Sequence, residues 1–117
     1  DEYNVSKLCN VLFTQELARR LAGSGVTAYA LHPGVIASDV WRNVPWPIRP
    51  LITAFMRSNE EGAQTSLYCA LDPSVADESG LYYENCTKRA ASKHATPELA
   101  TELWRCSERW IETVARR

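Results

Sequence analysis

The chain has 117 residues, enough for one domain, and its hydrophobic content of 45% is ordinary for a globular protein. Its 13 basic and 14 acidic residues are balanced and scattered, so the composition argues against a nucleic-acid-binding protein. No run of residues is apolar and long enough to cross a bilayer, and no signal peptide is visible in the sequence.

The first predicted element is a helix from Asn4 to Ala22. Apolar residues surround its first half on nearly all sides, whereas polar residues form one face of its second half. We therefore expect the first half to be buried on several sides. The glycines of Gly23-Ser24-Gly25 are typical of a helix end.

A short strand is predicted from Val26 to Leu31, because this run contains β-branched and aromatic residues with little polarity. It is followed at once by His32-Pro33-Gly34, which must turn. A helix, a tight glycine link, a buried strand and a turn indicate the α/β class.

The segment from Val35 to Arg57 contains three prolines, which exclude one regular helix, yet it is too apolar for a solvated loop. Its large side chains include Trp41 and Trp46. We expect them to cover a pocket or a neighbouring surface.

Two further helices and one strand complete the prediction. A helix from Glu60 to Leu71 has Asn59 as its cap, a strand runs from Leu81 to Cys86, and the last helix begins at Thr96-Pro97. Two parallel strands with three helices leave an open sheet edge. We therefore expect residues 1–117 to be the C-terminal portion of a single domain whose N-terminal half is encoded upstream.

Tyr3 and Lys7 are the strongest candidates for chemistry. Four residues apart on a helix, they share one face with about 6 Å of rise between them. A unit charge at about 6 Å and an effective dielectric of about 20 stabilises a phenolate by about 3 kcal/mol, which favours acid–base chemistry in a buried site. The spacing alone is also compatible with an ordinary surface pair.

The order of several motifs is more specific than this pair. Tyr3-x-x-Ser-Lys7 opens a helix, a buried strand ends in His32-Pro33-Gly34, and Ser38 lies four residues after the glycine. This pattern resembles the second half of a short-chain dehydrogenase/reductase. The stretches from Ser6 to Thr14 and from Glu61 to Leu67 resemble the retinol dehydrogenase group of that family.

The resemblance implies the C-terminal half of a Rossmann-like doubly wound parallel sheet and an NAD(P)-dependent oxidoreductase that interconverts an alcohol and a carbonyl. In such an enzyme Tyr3 exchanges the proton with the substrate oxygen. Lys7 stabilises the phenolate and holds the nicotinamide ribose. The cofactor-binding residues are then Tyr3, Lys7, Pro33, Gly34, Val35 and Ser38, and NADP(H) is favoured over NAD(H).

Parts of the family pattern are absent from the chain. The glycine-rich turn that seats the pyrophosphate and the catalytic serine upstream of the tyrosine do not occur in it. We therefore expect cofactor binding to be incomplete and the isolated chain to be inactive. The alternative function is a non-catalytic dimerisation or interaction module that uses the helix from Asn4 to Ala22.

The resemblance also carries expectations about partners and location. It implies a lipophilic small-molecule substrate, such as a retinoid, with Trp41 and Trp46 lining its pocket; packing on other protein surfaces or membrane contact by this region stays open. A homodimer is also left open. The intact protein is expected inside the cell, at the endoplasmic reticulum through an upstream anchor, or otherwise in the cytoplasm.

The four cysteines are widely spaced and only two histidines are present, so we expect reduced thiols and no metal site. His32 is interpreted as a structural imidazole and His94 as a solvated one. Cys9 is interpreted as a small buried hydrophobic residue.

Overall fold

A computed structural model describes residues 2–35 and 58–116 of the chain. Helix α1 spans Glu2–Arg20 and helix α2 spans Asn59–Leu71, followed by a 3₁₀ turn at Pro73–Val75. The last helix, α3, spans Pro97–Ala115. The strands are β1 at Ala30–His32, β2 at Tyr82–Glu84 and β3 at Thr87–Arg89. The predicted α/β class and the three main helices are confirmed.

The three strands form one mixed sheet in the order β1-β2-β3. Strands β1 and β2 are parallel, with Ala30 opposite Tyr82 and His32 opposite Glu84, as the α/β prediction required. Strand β3 was not predicted and pairs antiparallel to β2. The two predicted strands are also shorter than expected, because only three residues of each join the ladder.

Strand β3 was not predicted because the sequence gives no clear signal for the turn that joins it to β2. Asn85 and Cys86 both have φ of 54°, the left-handed conformation that a two-residue hairpin turn requires at both of its central positions. Glycine usually occupies the second of these positions, and here cysteine does. The sequence therefore lacked the usual hairpin signal, and the predicted strand was extended through the turn.

A polar residue caps the first turn of both α2 and α3. Ser58, not the predicted Asn59, caps α2: its hydroxyl accepts from the Glu61 N–H at 3.2 Å, and the Glu61 carboxylate accepts from the Ser58 N–H at 2.9 Å. Thr96 caps α3 as predicted, with Pro97 in the first turn.

The core lies between the sheet and α2. Tyr83 is 1% exposed and packs with Cys69 and Val75, while the rings of Tyr29 and Tyr68 lie 5.9 Å from its ring. The Tyr83 hydroxyl donates to the Glu78 carboxylate, which also accepts from Lys88 at 2.5 Å. Burial raises the pKa of Tyr83, and the hydrogen bond to Glu78 raises it further.

Helix α1 is exposed over its first half and anchored through its second. Tyr3 is 67% exposed and Val5 is 59% exposed, so the expected burial of the first half is wrong for this chain. The buried residues of the helix are Leu12, Thr14 and Glu16. Glu16 lies where α1 contacts α3, and this is the most extensive contact between two described helices.

Glu16 is the charged centre of the contact between α1 and α3. Its carboxylate is buried and accepts from Arg19 at 2.6 and 2.8 Å, from Arg20 at 2.8 Å, and from the Thr101 hydroxyl of α3 at 3.3 Å. The Arg20 guanidinium lies 4.5 Å from the ring of Trp104 on α3. Phe13 stacks on the same indole at 5.4 Å, so charge and aromatic packing hold the two helices together.

The hydrogen bonds from Arg19 lower the pKa of Glu16 from 4.5 to about 2, with further contributions from Arg20. A depressed folded-state pKa stabilises the fold above the unfolded value, and that stabilisation is lost as the pH falls from about 4.5 towards 2. We expect Glu16→Gln to lower the thermal unfolding midpoint by several degrees at neutral pH. The difference from wild type should shrink as the solution is acidified through this window.

Thermal unfolding followed by circular dichroism between neutral and acid pH measures this difference. Glu102→Gln is the matched control, because Glu102 is exposed on α3 and its contact with Arg109 is 3.6 Å long. A Glu16→Gln variant with the wild-type midpoint at neutral pH would contradict the structural role of this carboxylate.

Candidate functional site

A groove of about 980 Å³ lies between the first half of α1 and the sheet. Its walls include the turn that follows β1 and the segment that leads from β3 to α3. In open α/β sheets, ligands bind beyond the carboxyl ends of the parallel strands, and the turn at 33 and 34 lies at that end of β1. The side chains and backbone lining it include those of Tyr3, Lys7, Leu8, Val11, His32, Pro33, Gly34, Tyr82 and His94.

Tyr3 and Lys7 lie together on the groove side of α1. The Lys7 ammonium is 5.2 Å from the centroid of the Tyr3 ring, so the two side chains converge as helical spacing requires. At that distance the cation attracts the electrons of the ring. Because Tyr3 is largely exposed, solvent screens this interaction within the chain as it stands.

The turn after β1 presents its backbone to the same groove. Gly34 has φ of 88°, a conformation that a side chain would strain, and it lies beside Pro33 in the groove wall. Val35 follows and is 58% exposed. The other sequence-predicted site residues, Ser38, Trp41 and Trp46, lie outside the described residues.

The His32 side chain forms a hydrogen bond within the turn that follows β1. Its Nδ1 accepts a hydrogen bond from the Gly34 N–H at 2.8 Å, so in this arrangement Nδ1 carries no proton and Nε2 does. This geometry agrees with the interpretation of His32 as a structural imidazole. Glu84 is its register partner on β2.

Two groove residues were missed as site candidates. Tyr82 on β2 was predicted only as part of a strand, and His94 was interpreted as merely solvated, yet both line the groove together with Tyr3 and Lys7. His94 is exposed, and it lies in the segment between β3 and α3 that forms part of the groove wall. No sequence signal joins residues about ninety positions apart, so only the fold reveals this proximity.

The described parts of the chain contain neither a metal-binding cluster nor a membrane-spanning helix. Residues 2–35 and 58–116 contain no group of three or more His, Cys, Asp or Glu side chains arranged to hold a metal ion. None of the helices within these ranges is both long and apolar enough to traverse a bilayer.

No family model matches the chain, but individual proteins do. Retinol dehydrogenase 12 of Mus musculus is 45% identical over 111 residues, which cover 90% of this chain and 34% of that protein. Retinol dehydrogenase 14 of Homo sapiens is 42% identical over 113 residues, or 91% of this chain and 34% of the relative. The WW domain-containing oxidoreductase of Gallus gallus is 44% identical over 121 aligned positions, covering 98% of this chain and 29% of its own length.

The chain belongs to the short-chain dehydrogenase/reductase family. The resemblance noted from its motifs is therefore confirmed. The chain spans about a third of the length of the curated relatives that it matches. In this short-chain dehydrogenase/reductase segment, the motif residues Tyr3, Lys7, Pro33 and Gly34 line one groove.

The hydrogen bond at the turn predicts a signal that depends on the acceptor at position 32. His32→Leu removes Nδ1, so the Gly34 N–H loses its partner. We expect the Gly34 amide resonance to shift in His32→Leu. In His32→Asn it should stay closer to its wild-type position, because an asparagine oxygen can accept from the amide two residues ahead.

Two-dimensional ¹H–¹⁵N spectra of the variants at one pH measure the effect. His94→Leu is the matched control, since it removes the other histidine of the chain and should leave the Gly34 resonance in place. A Gly34 resonance that is unchanged in His32→Leu would contradict the role of this hydrogen bond.

Proposed function

We propose that this chain supplies the proton-transfer side of an NAD(P)-dependent oxidoreductase that interconverts an alcohol and a carbonyl. The observation that carries the proposal is the convergence of Tyr3 and Lys7 in the same groove as the Pro33–Gly34 turn. The relatives support it, because two kinds are named as retinol dehydrogenases and a third as an oxidoreductase.

The residues present fit a nicotinamide nucleotide and an oxygen substrate. A phenol can give or take one proton, an ammonium can donate to ribose hydroxyls, and a glycine backbone allows a flat ring to approach closely. When bound, the nicotinamide supplies or accepts the hydride. In the reducing direction Tyr3 gives its proton to the carbonyl oxygen as the carbon gains hydride, and in the oxidising direction it takes the alcohol proton.

Lys7 makes this proton exchange easier by stabilising the phenolate that remains on Tyr3. The interaction is strong only where water is excluded, whereas Tyr3 is largely exposed in this chain. We therefore propose that residues 1–117 act as the C-terminal portion of one domain. The cofactor and the rest of that domain then cover the groove and exclude water from it. The isolated chain therefore does not catalyse the reaction.

The cofactor is proposed to be NADP(H) rather than NAD(H), on the basis of likeness to the retinol dehydrogenases. Pro33, Gly34 and Val35 would border the nicotinamide, and Ser38 would reach its carboxamide or a phosphate. The chain has no glycine-rich phosphate turn, so the groups that seat the pyrophosphate must come from elsewhere.

The substrate is proposed to be a retinoid-like or other lipophilic carbonyl compound. Apolar side chains of Leu8 and Val11 and the ring of Tyr82 line the groove and could pack on such a molecule. Trp41 and Trp46 are proposed to extend this apolar lining.

Substitution of the phenol tests the reaction. In the full-length protein that carries this chain, Tyr3→Phe should reduce kcat by about 10²- to 10⁴-fold, because general acid–base catalysis typically contributes this factor. Lys7→Met should also cause a large loss. Steady-state oxidation of NADPH with retinal measures both effects, and the isolated chain serves as the inactive reference.

Tyr68→Phe is the matched control, since Tyr68 lies on α2 across the sheet and its hydroxyl contacts Ser74 at 3.2 Å. It should retain wild-type kcat. A Tyr3→Phe enzyme with undiminished kcat would overturn the assignment of Tyr3 as the proton donor.

Substrate length tests the apolar pocket. Each buried methylene contributes about 0.8 kcal/mol, so three of them raise kcat/KM by about 50-fold. We expect at least this preference for retinal over a short polar aldehyde, and we expect Trp41→Ala and Trp46→Ala to reduce it. Trp110→Ala, at an exposed site on α3, should not. Equal kcat/KM values for the two aldehydes would rule out the proposed lipophilic pocket.

A further inference from the structure

The turn between β2 and β3 is hydrogen-bonded to helix α2. The Cys86 N–H donates to the hydroxyl of Thr65 at 3.3 Å, and Thr65 is 2% exposed. This contact brings the backbone of Cys86 against one face of α2. The turn and the helix therefore form a fixed junction on the side of the sheet opposite α1.

A second thiol lies on that same helix face. Cys69 follows Thr65 by four residues, so the two are neighbours one turn apart, with about 6 Å between their positions. Cys69 is 8% exposed and belongs to the core with Val75 and Tyr83. Burial raises the pKa of the Cys69 thiol, and charge on Cys86 raises it further, in keeping with the closeness that the Cys86–Thr65 hydrogen bond sets.

The conformation of Cys86 is costly for a residue with a side chain. Its φ of 54° lies in the left-handed region, where glycine would form the same turn without strain. Turn formation alone does not explain a cysteine at this position. An observed strain of this kind points to a use for the side chain.

We propose that Cys69 and Cys86 form an oxidisable dithiol, a site of disulfide formation that joins α2 to the β2–β3 turn. The proposal does not depend on the oxidoreductase activity, since the pair lies across the sheet from the Tyr3 and Lys7 groove. The other cysteines are elsewhere: Cys9 is on α1, and Cys106 is exposed on α3.

A hydroperoxide is the oxidant that this arrangement suits. Cys86 is only partly buried, so its thiolate can attack the peroxide oxygen; the O–O bond breaks, water leaves after proton uptake, and a sulfenic acid remains. The sulfur of Cys69 then attacks the sulfur of Cys86, and the hydroxyl leaves as a second water. Two thiols and one peroxide thus become one disulfide and two waters.

The disulfide would bridge a stretch of chain that the fold already holds together. It would close a loop containing the 3₁₀ turn and β2, which restricts the unfolded chain more than the folded one. Oxidation is therefore expected to raise the thermal unfolding midpoint by several degrees and not to unfold the protein.

Peptide mapping tests the pairing. The reduced chain is treated with one equivalent of hydrogen peroxide, alkylated with N-ethylmaleimide in denaturant, and digested without reductant. We expect a mass loss of two hydrogen atoms, two alkylated cysteines in place of four, and one linked peptide pair containing Cys69 and Cys86. The variants Cys9→Ser and Cys106→Ser should form the same link.

One variant and one change of solvent keep the test decisive. Cys86→Gly removes the thiol while favouring the turn, so it should fold and yet form no disulfide. The wild-type chain in urea should lose the preference for the 69–86 link. A dominant link that includes Cys9 or Cys106, oxidation of Cys86 only to the sulfinic acid, or the same pairing in urea as in native buffer would overturn the proposal.

Discussion

The buried carboxylate of Glu16 determines where the candidate site can lie. It joins Arg19 and Arg20 of α1 to Thr101 of α3, and the ring of Trp104 packs on the same contact. A buried charge is tolerated only when it is paired and hydrogen-bonded, and these donors meet that requirement. Because α1 is anchored through this half, its other half extends beside the sheet and holds Tyr3 and Lys7 over the groove.

The groove itself combines three kinds of structure. A rigid helix supplies the paired phenol and ammonium, a strand end supplies a glycine turn, and the segment after β3 supplies His94. The turn is held by the hydrogen bond between His32 and Gly34. Sites built on such elements keep their geometry because the scaffold, not the ligand, sets the positions of the reacting groups.

The two faces of the sheet have different roles. Side chains that alternate along β2 place Tyr82 at the groove and Tyr83 in the core against α2. The core face holds Cys69, the Tyr83–Glu78 hydrogen bond and the junction with the β2–β3 turn. Chemistry proposed for the groove and oxidation proposed for the dithiol are thus separated by the sheet, so each can be altered without the other.

Local patterns in the sequence determined much of this protein: three helices, the cap at Thr96, the parallel strands, and the family motif from Tyr3 to Gly34. These features depend on neighbours within a few residues, where helical spacing, capping and turn chemistry act directly. Tertiary structure alone decided the third strand, the exposure of the first half of α1, and the presence of Tyr82 and His94 in the groove. Those outcomes depend on which distant segments pack together, and burial and hydrogen bonding between remote residues leave no periodic signal in the chain.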